Sequence, residues 1–169
     1  MSYAPDLTNF SKEEIKETLK EVRHPIDVAV FDSANYFNLG SIIRMCHNFL
    51  VRRIYAIDTK FYKKATMGAH KFEDIHKVTM DEFLQEASSR NLVVFERRPE
   101  LESKDLISYE WPELPLVVFG SEKSGIPDEL LEAATDIVSI PMFGVHNDHN
   151  VACAASIAIY DFVSKHLAK

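Results

Sequence analysis

His146, Asn147, Asp148, His149 and Asn150 follow one another inside the stretch "FGVHNDHNVA", Phe143 to Ala152. Side chains of these types can ligate a metal, exchange protons, or hold a turn for something else. As a metal site, His146, Asp148 and His149 would serve a hydrolase. Metal sites, however, usually draw ligands from separate elements and support them with outer partners. As acid–base groups, imidazole and carboxylate can move protons near neutral pH. As a turn, Pro141 and Gly144 would bend the chain and Asn150 would cap the next helix.

Two other segments carry similar residues. "FGSEKSGIPDEL" begins at Phe119 and holds Gly120 and Gly125, two of only five glycines in the chain. It lacks the G-K-[ST] of a triphosphate cradle. "DSANYFNLGSIIR" offers Asn35 and Asn38, then Arg44 about one and a half turns into a helix starting near Asn38. Arg44 is either a solvated surface residue or a charge aimed at an anion.

These segments must be positioned by the elements around them. Ser11 with Glu14 reads as a capping box opening a helix over about residues 11–23. Apolar runs predict strands at Ile26–Asp32, Arg53–Asp58, Asn91–Arg97, Leu114–Gly120 and Asp136–Pro141, with a short one in "DIHKVT". Helical periodicity appears at Leu39, Ile42, Ile43, Cys46 and Phe49. It also appears after Thr79, and from Asn150 along Val151, Ala154, Ala155, Ala158, Ile159, Phe162 and Val163. Strands alternating with helices predict an α/β fold with a mostly parallel sheet and helices on both faces. Ligands of such sheets bind beyond the carboxyl ends of the strands. The three segments all fall there.

Length and composition narrow the classes. The 169 residues suit one domain, and 46% apolar content supports a full core. No run approaches the ~20 apolar residues of a membrane span. The N-terminus does not read as a signal peptide, so a cytoplasmic protein without membrane contact is expected. Cys46 and Cys153 lie in apolar helical patterns and read as buried free thiols. The net charge of −7 argues against a general nucleic-acid binder. Against that background Arg52, Arg53, Lys60, Lys63, Lys64 and Lys71 form a local basic patch, with Tyr55, Phe61 and Tyr62 among them. Such a patch can contact phosphates, and an exposed ring can stack on a base. A solvated basic loop is the plainer alternative.

Taken together, the three segments resemble the SpoU/TrmH branch of the SPOUT methyltransferases. "NYFNLGSIIR" follows that family's N-x-x-N-x-G-x-I-x-R, and "VFGSEKSGI" follows its hydrophobic-G-x-E-x-x-G. "IPMFGVHNDHNVACAA" follows its I-P-M-x-G and S-L-N-V-[SA] segment, and the resemblance covers about Asp27 to Phe162. It implies a C-terminal trefoil knot, a homodimer, S-adenosylmethionine as cofactor, and methylation of a ribose 2′-hydroxyl of tRNA or rRNA. By that resemblance Arg44 meets the ribose hydroxyl. Asn38, Glu122 and Asn150 complete the catalytic site, and Phe119, Gly120, Ile140, Met142, His149 and Val151 line the cofactor. No metal is implied. An arginine, with a reference pKa of about 12.5–13.8, suits positioning and charge stabilisation better than proton abstraction.

The chain departs from the family at Asp148-His149, where Ser-Leu is usual. Asp148 would repel an RNA phosphate or pair with Arg44; the His149 ring would stack on adenine. A non-catalytic RNA-binding or regulatory member of the same fold is therefore the alternative reading. Beyond the short N-terminal helix no RNA-binding extension is evident, so target choice would rest on the dimer surface or on a partner protein.

Overall fold

Alternation along each strand decides which helix layer a side chain meets, and this builds two cores on one sheet. The computed structural model describes residues 7, 9–31, 35–121, 124–145 and 148–167. The strands are β1 (His24–Phe31), β2 (Val51–Ile57), β3 (Ile75–Val78), β4 (Leu92–Phe95), β5 (Lys104–Asp105), β6 (Leu116–Phe119) and β7 (Asp136–Ser139). The helices are α1 (Lys12–Lys20), α2 (Tyr36–Asn48), α3 (Met80–Ala87), α4 (Asp128–Ala133) and α5 (Val151–Leu167). The strands form one sheet in the order β3-β2-β1-β6-β4-β7-β5. Every pairing between them is parallel.

Val28 and Val30 of β1, Val117 and Phe119 of β6, and Val93 and Phe95 of β4 face α2 and α5. Their neighbours Ala29, Leu116, Val118, Leu92 and Val94 face the opposite layer, with Phe83 of α3 and Leu130 of α4. A strand covered on both faces needs apolar residues at successive positions, which is why β4 and β6 read LVVF without alternation. The helix starts follow local chemistry. Ser11 with Glu14 and Thr79 with Glu82 form complete capping boxes at α1 and α3.

The last helix is fastened at its far end. Lys165 Nζ donates to the carbonyls of Leu106, Ile107 and Tyr109 at 2.9, 3.3 and 3.1 Å. Trp111 Nε1 donates to Asp161 at 2.8 Å. The two-residue strand β5, paired with β7, has no hydrophobic pattern that sequence reading could detect. One thiol expectation is corrected: Cys46 is buried but Cys153 is exposed. The core-facing stripe of α5 runs through Val151, Ala155, Ala158 and Ile159, and position 153 lies on the other side of the helix. No helix of the described residues is long and apolar enough to cross a membrane.

Candidate active site

The order β1-β6-β4-β7 brings four carboxyl strand ends side by side. Three of them lead into the segments singled out above; the fourth, from β4, leads into Glu96 and Arg97. β1 lies between β2 and β6, where successive strands begin to be laid down on the other side. This is the switch position at which open parallel sheets bind ligands.

The segment after β1 starts α2. Asn35 caps it, its Oδ1 accepting from the Phe37 amide at 3.0 Å. Asn38 is buried in the first turn. The segment after β7 ends on Asn150, whose Oδ1 accepts from the Ala152 amide at 3.0 Å and so caps α5. The other end of the Asn150 amide, Nδ2, donates to Asn38 Oδ1 at 3.4 Å. One side chain thus fixes the start of α5 and ties it to the start of α2.

After β6 the chain doubles back. The Ser121 amide donates to the Gly125 carbonyl at 3.1 Å, and the Gly125 amide to the Ser121 carbonyl at 2.8 Å. The fold needs both glycines here. A Cβ at Gly120 would sit 2.5 Å from the Gly125 carbonyl carbon and 2.8 Å from the Ile126 nitrogen. Gly125 has φ +67°, and a Cβ there would meet Glu96 Oε2 at 2.6 Å. Glu96 holds this loop from the neighbouring strand: Oε2 accepts from the Ile126 amide at 2.8 Å, and Oε1 from the Arg97 amide at 2.9 Å. Arg98 donates to the Ile126 carbonyl, so an acid and a base grip the two ends of one residue.

Two adjoining cavities open over these loops. The larger, about 360 Å³, is bounded by Phe95, Phe119 and Gly120 on the sheet side and by Asn150, Val151 and Ala154 at the start of α5. The smaller, about 130 Å³, is bounded by Val138, Ile140 and Met142 along β7 and its loop. Glu96, Asp148 and His149 line both. All six residues expected around a cofactor, Phe119, Gly120, Ile140, Met142, His149 and Val151, therefore border this space. Aromatic and aliphatic faces with a few backbone and carboxylate acceptors suit a flat heterocycle with polar edges.

The remaining expected residues divide. Asn38 and Asn150 are brought together, while Glu122 lies outside the described residues. Arg44 is exposed on α2, borders neither cavity and has no ion-pair partner among the described residues. The expected pairing of Asp148 with Arg44 is corrected, since no ion pair joins them and Asp148 turns to the cavities. His146 of the candidate metal set lies outside the described residues, and no metal-holding group is found among those described.

The basic patch also divides. Arg52 binds the buried carboxylate of Asp27 through two bonds, at 2.8 and 2.7 Å. Arg53 binds Asp74 at 2.9 Å and Glu86 at 3.4 Å. Both begin β2, at the end of the sheet opposite the loops, and each is engaged by carboxylates of its own chain. Lys60, Lys63, Lys64 and Lys71 are exposed and have no ion pair with a described residue. The first three follow the carboxyl end of β2. Lys71 lies farther along, next to Phe72, whose ring stacks on His47 near the end of α2. The turn Lys63–Thr66 packs against α2 because position 40 is glycine: a Cβ there would meet Ala65 Cβ at 2.5 Å. Sequence reading missed Phe95, Glu96, Ser121 and Ala154. Glu96 had a usable signal, since it ends the run "LVVF" at the carboxyl side of a buried strand.

Comparison with known proteins agrees with this fold. The model of the SpoU rRNA Methylase family matches residues 25–160. The chain is 24% identical over 164 residues to a tRNA (guanosine(18)-2′-O)-methyltransferase of Thermus thermophilus, covering 91% of this chain and 82% of that protein. It is 24% identical over 138 residues to the mouse tRNA (guanosine(18)-2′-O)-methyltransferase TARBP1, covering 77% of this chain but only 9% of that much longer protein. Among solved structures, an AdoMet-bound rRNA methyltransferase from Sinorhizobium meliloti shares the fold. Its TM-score is 0.75 at 24% identity, over 88% of this chain and 60% of that one.

Proposed function

We propose, since the chain belongs to the SpoU rRNA Methylase family, that it transfers a methyl group from S-adenosylmethionine to a ribose 2′-hydroxyl of tRNA or rRNA. The observation that carries this reading is the pair of cavities bounded by the loops after β6 and β7 and by the start of α5. The residues there fit the cofactor. Phe95, Phe119, Val151 and Ala154 offer apolar surface to a purine, and the close Gly120–Gly125 approach brings loop backbone to the cavity wall.

S-adenosylmethionine, when bound, supplies a methyl already activated by its sulfonium. The chain's own work is then placement. Orientation of two reacting groups supplies up to ~7–11 kcal/mol of a barrier. Asn38 and Asn150 tie the start of α2, the helix that carries Arg44, to the start of α5. Arg44, with no ion pair to a described carboxylate, positions the ribose and stabilises negative charge developing on its oxygen. Glu96 keeps the glycine loop open. Lys60, Lys63 and Lys64 supply phosphate contacts. The same reading takes the chain as a single domain of a cytoplasmic homodimer with its C-terminal segment knotted, relying on the dimer surface or a partner protein for target choice.

A second reading rests on Asp148, a carboxylate bordering both cavities with no cationic partner among the described residues. It would repel a phosphate, leaving a member that binds cofactor and RNA without transfer. Calorimetric titration with S-adenosylmethionine, followed by incubation with methyl-labelled cofactor and total RNA, separates the two. Binding with label transfer supports the first reading. Binding without transfer, cured by Asp148→Ser, supports the second. No binding sinks both.

A further inference from the structure

We propose that Phe37 and Tyr62 form a stacking platform for an unpaired RNA base beside the cavity mouth; this rests on the RNA reading above and specifies how the strand is held. The two rings lie 4.9 Å apart between centroids, tilted by 51°. They are 58% and 41% exposed, and Tyr36 and Met67 beside them are 51% and 75% exposed. Neither ring of the pair is a member of either hydrophobic core. The buried face of α2 uses Leu39, Ile42, Ile43 and Cys46, so the fold makes no demand for an aromatic residue at position 37.

The backbone beneath the two rings is held in place. The Tyr62 amide donates to the Tyr36 carbonyl at 3.2 Å, and the close approach at Gly40 locks the following turn onto α2. Phe37 immediately precedes Asn38, which is bonded to Asn150 at the rim of the larger cavity. Lys60, Lys63 and Lys64 flank the rings, exposed and not paired with a described carboxylate. Rings that accept bases, beside ammonium groups that accept phosphates, form the recurring surface for single-stranded nucleic acid. A duplex keeps its bases stacked inside and gains only the lysines.

The test uses the full chain and a single-stranded RNA about 12 nucleotides long, carrying 2-aminopurine, whose fluorescence falls when the base stacks. A duplex of the same sequence is the comparison. The wild-type protein should bind the single strand with quenching, and the duplex more weakly without it. Phe37→Ala with Tyr62→Ala should weaken single-strand binding roughly tenfold or more and abolish quenching. Phe37→Trp should restore both to the wild-type level. Lys63→Ala with Lys64→Ala should lower affinity and its salt dependence but leave quenching at saturation intact.

Unchanged affinity and quenching in the double alanine variant would overturn the platform while leaving the RNA reading standing. Failure of the wild-type protein to bind either RNA would overturn the platform through the RNA reading itself. A change of sedimentation coefficient in the double alanine variant from oligomer to monomer would also overturn it, assigning the face to a second copy of the chain.

Discussion

Asn150 Nδ2 donates to Asn38 Oδ1 at 3.4 Å, joining two residues 112 positions apart. Both asparagines stand at helix starts, and both belong to segments that border the candidate site. A contact between them joins a helix cap and the first turn of another helix into one scaffold. Removing Asn150 also removes the cap of α5. Asn150→Ala is expected to cost about 1 kcal/mol from the cap alone. The bond to Asn38 should appear as a further coupling of roughly 0.5–1.5 kcal/mol. Urea midpoints of the two single alanine variants and the double variant measure it. Additive losses would show that the contact is passive.

The glycines provide a graded series. Gly120→Ala places a methyl 2.5 Å from the Gly125 carbonyl carbon, backbone that cannot swing aside. A loss of about 1–3 kcal/mol in stability is expected from such overpacking. Affinity for S-adenosylmethionine should fall with it in calorimetry. Gly144→Ala meets nothing within 4 Å and has no positive φ, so stability should change by less than about 0.5 kcal/mol.

The contrast between these glycines shows where sequence reading reached and where it stopped. The β6 run and Gly120 were legible because a buried parallel strand followed by glycine is a pattern local in the chain. The need for Gly120 was not, since the atom it avoids belongs to a residue that folds back onto it. Likewise Asn150 was legible as a cap, whereas its bond to Asn38 depends on α2 and α5 sharing one face of the sheet. Arg52 shows the opposite case. Its charge was evident, but its partner Asp27 sits on the adjacent strand, and pairing at that distance in sequence leaves no local trace. Tyr62 was picked out by its type, while Phe37 became visible only once the turn was docked on α2.

Glu96 should act on the cofactor through the loop it holds. Glu96→Gln keeps one acceptor oxygen where the carboxylate has two, against the Ile126 and Arg97 amides. Losing one charged acceptor for a buried amide costs about 1.5–3 kcal/mol. Cofactor affinity is expected to fall roughly tenfold, with transfer at saturating cofactor nearly retained. A collapse of transfer at saturation, with affinity unchanged, would assign Glu96 a direct role instead.

Acid should destabilise the fold in two stages. His24 lies edge-on to His166 with 5.7 Å between ring centroids. Burial first, then the nearby His166, holds the His24 pKa below the ordinary 6.5. His70 shifts the same way through burial and the charges of Lys63 and Lys71. With the folded pKa below the unfolded one, the unfolded chain binds more protons, so stability rises with pH and is lost as pH falls below 6.5. Glu14 and Glu82, lowered by hydrogen bonds from Ser11 and Thr79, add a second loss as pH falls below 4.5. Melting temperatures against pH should show both stages, and His24→Gln should shrink the first.

Arg44 carries the heaviest assignment, because no described carboxylate occupies it and it borders neither cavity. The decisive measurement is incubation of wild-type protein and Arg44→Ala with methyl-labelled S-adenosylmethionine and total tRNA and rRNA. The RNA is then digested to nucleosides, and cofactor affinity is measured in parallel. The account predicts label on ribose 2′-oxygens with the wild-type protein, and a loss of at least about 100-fold with Arg44→Ala at unchanged cofactor affinity. Label on a base, or full transfer by the Arg44→Ala variant, would contradict it.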